Sequence, residues 1–215
     1  MRVALIAAAG LLTAAAYYYA TRRDQAEADT GSDWASAAAD TLDTFTETIM
    51  STFRLSSMGS VTAADVAHPN VRAFLRVIRR GEGTSDEAGY RRMFGGKLFE
   101  SFHDHPRVKN TYTLRSGQTI TSTAAGAYQF LSSTWDETRR AMRLPDFTPQ
   151  SQDWAAVGRL AARGALEDVK AGRFEAAITK TAREWASLPG SPYGQPVISM
   201  TTAQNVYTTN GGTYA

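Results

Sequence analysis

Glu82 stands between two glycines at the end of the stretch AFLRVIRRGEGT. It follows Ile78 by four residues, so a helix continuing from Val71, Phe74, Leu75 and Ile78 carries it on the apolar face. The same position lies at a helix C-terminus, where the macrodipole is negative. Desolvation and that dipole both disfavour the carboxylate and push its pKa upward. Gly83 ends a helix cheaply and leaves room beside the acid. A carboxylic acid still protonated near neutral pH is what a general acid for glycoside cleavage requires. The competing reading is a solvated glutamate in a loop.

Asp86, Glu87, Glu100 and Asp104 are nearby acids that could supply a second carboxylate, as ordinary glycosidases need. His103 and His105 form an H-x-H pair, but no third ligand stands at recognisable spacing, and no metal is expected. The chain has no cysteine, which excludes disulfides, zinc-thiolate sites and a cysteine nucleophile. No Gly-rich phosphate loop is present and no cofactor is expected. Arg72, Arg76, Arg79 and Arg80 spread round a helix and form no convincing nucleic-acid stripe, so no nucleic-acid partner is expected either.

The elements that must position Glu82 begin near residue 71. TYTLRSGQTITST (111–123) alternates, is rich in Thr and Tyr, and has Ser116-Gly117 at its middle, which predicts a β-hairpin. Helices are predicted over 127–142, 151–165 and 174–188, the last stopped by Pro189-Gly190. The Thr/Asn/Gly-rich end, 197–215, reads as extended or poorly ordered. Thr62 or Asp65 can start a short helix before the globular part.

Upstream, residues 3–20 carry no charge and are bounded by Arg2 and by Arg22-Arg23. That length just spans a bilayer, with Tyr17, Tyr18 and Tyr19 at an interface level. A cleaved signal peptide and a buried helix are the alternatives. Charge is partitioned. Residues 1–23 hold three arginines and no acid. Residues 24–60 hold seven acids against Arg54, and residues 61–215 hold 19 basic and 14 acidic residues. Within the acidic stretch Trp34, Ala38, Leu42, Phe45, Ile49 and Phe53 recur at helical spacing. The acidic polar face argues for a protein partner or self-association through 34–53 over an anionic membrane surface. The expected organisation is an anchor over 1–23, an acidic linker with an amphipathic helix over 24–60, and a catalytic domain over 61–215.

From about residue 71 to 197 the chain resembles the lambda-type bacteriophage endolysins, peptidoglycan lytic transglycosylases of lysozyme-like fold. The resemblance rests on GEGT with Gly89-Tyr90, GGKLFESFHDHPR (95–107), STAAGAYQF (122–130), LPDFTPQSQD (144–153), RGAL (163–166) and WASLPGSPYGQ (185–195), in family order and at similar spacing. It implies an α+β fold, mostly helical, with a small β-hairpin at the cleft, to which the N-terminal transmembrane helix is added. It implies Glu82 as the sole catalytic acid, and the hairpin and the loop 189–197 as two lips over a groove for peptidoglycan glycan strands.

Such an enzyme protonates the glycosidic oxygen and lets the C6 hydroxyl of the same muramic acid attack C1, leaving a 1,6-anhydro end. Gln129, in GAYQF, could bond an acetamido group or Glu82. Tyr128 beside it could serve the groove floor or the core. Ser122 and Thr123 could touch sugar or cap structure, and Trp185 and Tyr193 offer flat faces to pyranose rings, with core packing the alternative for Trp185. The uncharged run 3–20, which lies outside the resemblance, would hold such an enzyme at the host inner membrane facing the periplasm, or in a virion membrane. Two rivals remain open: a hydrolytic muramidase, and a virion structural membrane protein whose domain only binds glycan.

Overall fold

The computed structural model describes residues 33–113, 119–194 and 196–215; for 33–43, 45 and 112 it describes the backbone alone. The expected transmembrane run, 3–20, lies outside these residues. Among the described residues no helix is long and apolar enough to cross a membrane. The chain divides into two units, Met1–Thr48 and Ile49–Ala215.

Helix α1 spans Asp33–Gly59. It runs six residues beyond the apolar stripe, through what the sequence presents as a linker, because Met58 is fully buried and holds its last turn. The side chains of Trp34, Ala38, Leu42 and Phe45 lie outside the described ones. Ile49 is half-buried, and Phe53 is 58% exposed.

Short helix α2, Ala63–Ala67, starts at a reciprocal cap. The Thr62 hydroxyl accepts the Asp65 N–H, and the Asp65 carboxylate accepts the Thr62 N–H. Helix α3, Pro69–Gly81, follows. Pro69 suits its first turn, and His68 caps it by accepting the Asn70 N–H on Nδ1. Val71, Phe74, Leu75, Val77 and Ile78 are buried along α3. At about 1.5–3 kcal/mol per large apolar side chain, this face outweighs any helix propensity. A 3-10 turn, Glu87–Arg91, leads to the two-stranded antiparallel sheet of β1 (Asn110–Thr113) and β2 (Thr119–Ser122). Asn110 pairs with Ser122 and Thr113 with Thr119, as the alternation predicts.

Helices α4 (Ser132–Met142), α5 (Pro149–Ala162), α6 (Leu166–Lys170) and α7 (Phe174–Thr181) complete the body. Two of them are shorter than expected, for local reasons. Residues 127–131 form a turn instead of the start of a helix. Gly126 and Gln129 have φ of +80° and +47°, and Ala125 and Phe130 exchange backbone hydrogen bonds. Helix α7 stops at Thr181, whose hydroxyl bonds back to the carbonyls of Ala177 and Ile178. Beyond it, Glu184 is drawn to Arg159 and Arg163, and Trp185 to the carbonyl of Tyr128.

The tail corrects the sequence reading most. Residues 200–209 form helix α8, Met200–Thr209, capped by Ser199, with Ala203 and Tyr207 fully buried. Asn70 then holds Thr213 through three hydrogen bonds, and Ala215 donates to the carbonyl of Gly172. A second aromatic centre, Trp135 against Phe147 at 4.6 Å and His105 against Phe147 at 5.0 Å, packs the opposite side.

Candidate active site

Glu82 is the C-cap of α3: its N–H donates to the carbonyl of Ile78 at 2.9 Å, with φ −77° and ψ −2°. The helix therefore does run on to the acid. Gly83 follows with φ +68° and nothing within 4 Å of where a Cβ would stand. The loop is pinned immediately afterwards. Thr84 is fully buried, and its hydroxyl donates to the carbonyl of Ala127 at 2.6 Å. Its own carbonyl accepts two N–H groups of the buried Arg79, at 3.0 and 2.8 Å. Arg92 donates to the carbonyl of Gly83 at 2.7 Å and pairs with Asp86.

The Ser187 hydroxyl donates to Glu82 Oε1 at 2.7 Å. A Cβ on Gly81 would stand 2.5 Å from Ser187 Oγ, so the glycine before the acid is what admits the serine. Trp185, two residues earlier, donates from its indole to the carbonyl of Tyr128 at 3.2 Å. Three segments distant in sequence thus close on one another. The loop after α3 reaches the turn 126–130 through Thr84, that turn is reached by the segment 185–188 through Trp185, and the segment returns to Glu82 through Ser187.

Glu82 keeps partial exposure, yet enough protein surrounds its carboxyl for burial to push its pKa up to about 7. The bond from Ser187 pulls the other way and loses. Among the described residues, Glu82 has no cationic partner. The neighbouring acids differ. The carboxylate of Asp86 is held below the ordinary range, chiefly by its bond from Arg92. Asp104 accepts from Trp135 Nε1 at 3.0 Å, from Arg139 at 3.2 Å, from Arg107 at 3.0 Å and from the His105 N–H at 2.8 Å. Burial opposes its ionisation, but those donors outweigh it and keep it low. Asp104 is a brace between the loop 104–107 and α4. His105 spends both ring nitrogens, Nε2 on the carbonyl of Phe130 and Nδ1 on the Arg107 N–H.

The remaining sequence-derived candidates separate by exposure. Tyr128 and Trp185 are 1% and 4% exposed and belong to the core, the alternative reading in each case. Trp185 as a stacking face for sugar and Tyr128 as a part of the groove floor are thereby corrected: neither ring is open to solvent. Ser122 accepts the Ala124 N–H, and Thr123 accepts the first N–H of α4 from Ser132, so both hydroxyls serve structure. Gln129 spends both amide hydrogens on the carbonyls of Arg92 and Gly126, leaving its carbonyl oxygen as the group that can accept. Tyr193 is 57% exposed, with its hydroxyl on the carbonyl of Arg183.

Sequence reasoning missed Ser187 and Asp153. Ser187 lay inside the WASLPG motif and carried a signal only through it. Asp153, half-buried, accepts the hydroxyls of Tyr90 at 2.9 Å and Tyr128 at 2.6 Å, a contact among residues 25 to 63 positions apart. Burial raises its pKa, against those two bonds.

A helix-end acid, a small hairpin and a mostly helical body define a lysozyme-like domain. The solved lysozyme of bacteriophage lambda in complex with a chitohexasaccharide matches it with a TM-score of 0.62 at 36% identity, covering 68% of this chain and 97% of that one. The endolysin family model matches residues 72–214. The endolysin of Escherichia phage P2 is 38% identical over 159 residues, 67% of this chain and 94% of that protein. The endolysin of Escherichia phage lambda is 40% identical over 130 residues, 58% and 80% of the two chains. The chain belongs to the endolysin family, and is a lysozyme-like enzyme acting on peptidoglycan.

Proposed function

We propose that the chain is a lytic transglycosylase that cleaves the MurNAc-β-1,4-GlcNAc bond of peptidoglycan with Glu82 as its only proton-transfer group. The observation that carries this reading is a single acid with a pKa near 7, while two of its neighbouring acids, Asp86 and Asp104, are committed to cations. A group poised there is protonated often enough to give its proton to the glycosidic oxygen. As a carboxylate it can then take the proton of the C6 hydroxyl, while that hydroxyl attacks C1. The internal nucleophile has a high effective concentration, so no second carboxylate has to activate water. Ser187 steadies the carboxylate between the two steps. Tyr193 and the carbonyl of Gln129 are the groups offered to sugar.

A hydrolytic muramidase needs a second available carboxylate. Of the four acids that could serve, Asp86 and Asp104 are paired with cations, and Glu87 and Glu100 are exposed to solvent, without the burial that surrounds Glu82; this favours transglycosylation. A protein that only binds glycan needs no acid with a raised pKa. The test is mass spectrometry of digested peptidoglycan: 1,6-anhydro ends about 18 Da lighter than hydrolysed ones are expected, because an internal hydroxyl replaces water. Reducing ends alone overturn the transglycosylase reading and leave Glu82 as the acid of a hydrolase. We also propose that residues 3–20 tether the enzyme to a membrane, for wall opening at entry or at lysis. High-salt extraction of the intact chain from membranes would overturn the tether.

A further inference from the structure

Away from the Glu82 corner the described residues enclose a cavity of about 370 Å³ between α2, α3 and α5. Arg72, Arg76 and Arg79 stand at i, i+4 and i+7 of α3 and all line it. Arg79 is spent on Thr84 and Asp86 carbonyls and lies over the ring of Tyr90, so it forms the floor. Arg72 and Arg76 are exposed, and among the described residues neither guanidinium makes an ion pair or a hydrogen bond, though Arg76 is near enough to Asp153 to favour its ionisation. Gln150 and Trp154, from α5, complete the rim, and the indole N–H of Trp154 also has no partner among the described residues. The cavity's one acid, Asp153, is engaged by Tyr90 and Tyr128. Two idle guanidinium groups about 6 Å apart along the axis, a donor-only indole and an amide make a site for an anionic group of forked geometry.

We propose that this cavity binds a carboxylate of the peptides that substitute the glycan strands, so that the enzyme reads peptide-bearing wall and not bare polysaccharide. The proposal rests on peptidoglycan being the substrate of the Glu82 site. That site and the cavity share α3, with Arg72 roughly 15 Å along the helix from Glu82. The arginines lie roughly a quarter to a third of a turn round α3 from Glu82, so a glycan strand longer than that separation is what would carry a peptide to the cavity. A guanidinium pair distinguishes a carboxylate from its amide by charge and by the second acceptor oxygen, which the amide replaces with a donor.

The experiment reads binding apart from cutting. The full chain carrying E82Q is compared with the same chain carrying E82Q, R72Q and R76Q. Each is measured on purified wall sacculi, on sacculi whose carboxylates have been amidated, on chitohexasaccharide and on phosphatidylglycerol vesicles. The triple variant should lose about tenfold in affinity for untreated sacculi, the size expected of two partly exposed charged contacts. Amidation should bring the single variant down to the same level and leave the triple variant unchanged, with chitohexasaccharide affinity equal in both. Equal binding of both proteins to untreated sacculi overturns the proposal. So does a loss of equal size on amidated sacculi, which would be a general charge effect. A loss confined to the vesicles assigns the cavity to lipid phosphate and overturns it too. If E82Q fails on chitohexasaccharide but keeps arginine-dependent binding to sacculi, the groove reading falls and the cavity assignment stands.

Discussion

Glu82 and Asp104 are both carboxylic acids drawn partly out of water, and they titrate in opposite directions. Burial is the largest influence on each and favours the neutral form in both. At Glu82 a single hydroxyl opposes it, and the pKa stands near 7. At Asp104 two guanidinium groups, an indole and a backbone N–H oppose it, and the carboxylate stays ionised. The difference lies in both burial, deep at the Glu82 carboxyl and shallow at Asp104, and donors, since Glu82 has no cationic partner among the described residues. The protein keeps an acid reactive by denying it cations, and makes an acid structural by surrounding it with them.

The sharpest way to break this comparison is Glu82→Gln. Wall digestion should fall by at least about 10²–10⁴-fold, since a general acid is lost, while the fold survives. Stability gives an independent reading. The folded pKa of Glu82 is raised above its ordinary 4.5, so the wild type suffers a penalty that is absent below pH 4.5, grows as pH rises to about 7, and is constant above. Glu82→Gln should therefore match the wild type near pH 4 and exceed it at pH 8, by up to about 3 kcal/mol. Denaturant melts at the two pH values measure this. Equal stability at both would mean that the acid is not held neutral.

Asp104→Asn should show the reverse pattern. Arg139 loses its anionic partner and Arg107 one of its two, keeping Asp136, at a cost of about 1–3 kcal/mol at pH 7. The folded pKa of Asp104 is depressed, so its contribution is present above the unfolded pKa and disappears as pH falls through the folded one. The variant and the wild type should thus converge in acid. Activity per folded molecule should hold within a few fold. A loss on the scale of Glu82→Gln at unchanged stability would make Asp104 a second catalytic carboxylate and return the mechanism to hydrolysis.

Glu82 was legible because its determinants are local: the register of α3, a helix end and a glycine after it. Asp104 was visible as an acid in DHPR but not as a brace, because two of its donors, on Trp135 and Arg139, reach it from a helix that only the fold brings near. The hairpin came from its alternation, and α2 from its capping box. Helix α8 was hidden by its Thr- and Asn-rich composition. Its helical signal is two residues, Ala203 and Tyr207, whose value lies in the surface they meet. The extra turns of α1 were hidden likewise, since Met58 is a core residue only once the body has formed. Tyr128 and Trp185 carried a ring type suited to sugar, and burial, which no periodicity encoded, decided against it.

The smallest expected effect probes the single donor at Glu82. Ser187→Ala removes the one bond that favours the carboxylate, so the pKa of Glu82 should rise further. The alkaline limb of kcat/KM should move upward by about one pH unit, the value of one bond to a charged group. Below that limb the acid is protonated in both proteins, and the rate should fall by less than about tenfold, because the proton donor itself remains. Gly81→Ala sharpens the result without deleting the hydroxyl. Its methyl would stand 2.5 Å from Ser187 Oγ and must displace it from Glu82. The two variants should therefore share one shifted limb although one keeps its serine. If Gly81→Ala leaves the limb in place while Ser187→Ala moves it, the serine acts on Glu82 from a position that the added methyl does not disturb. If neither moves it, burial alone sets the pKa of Glu82, and the contrast with Asp104 reduces to the depth of burial and the presence or absence of guanidinium groups.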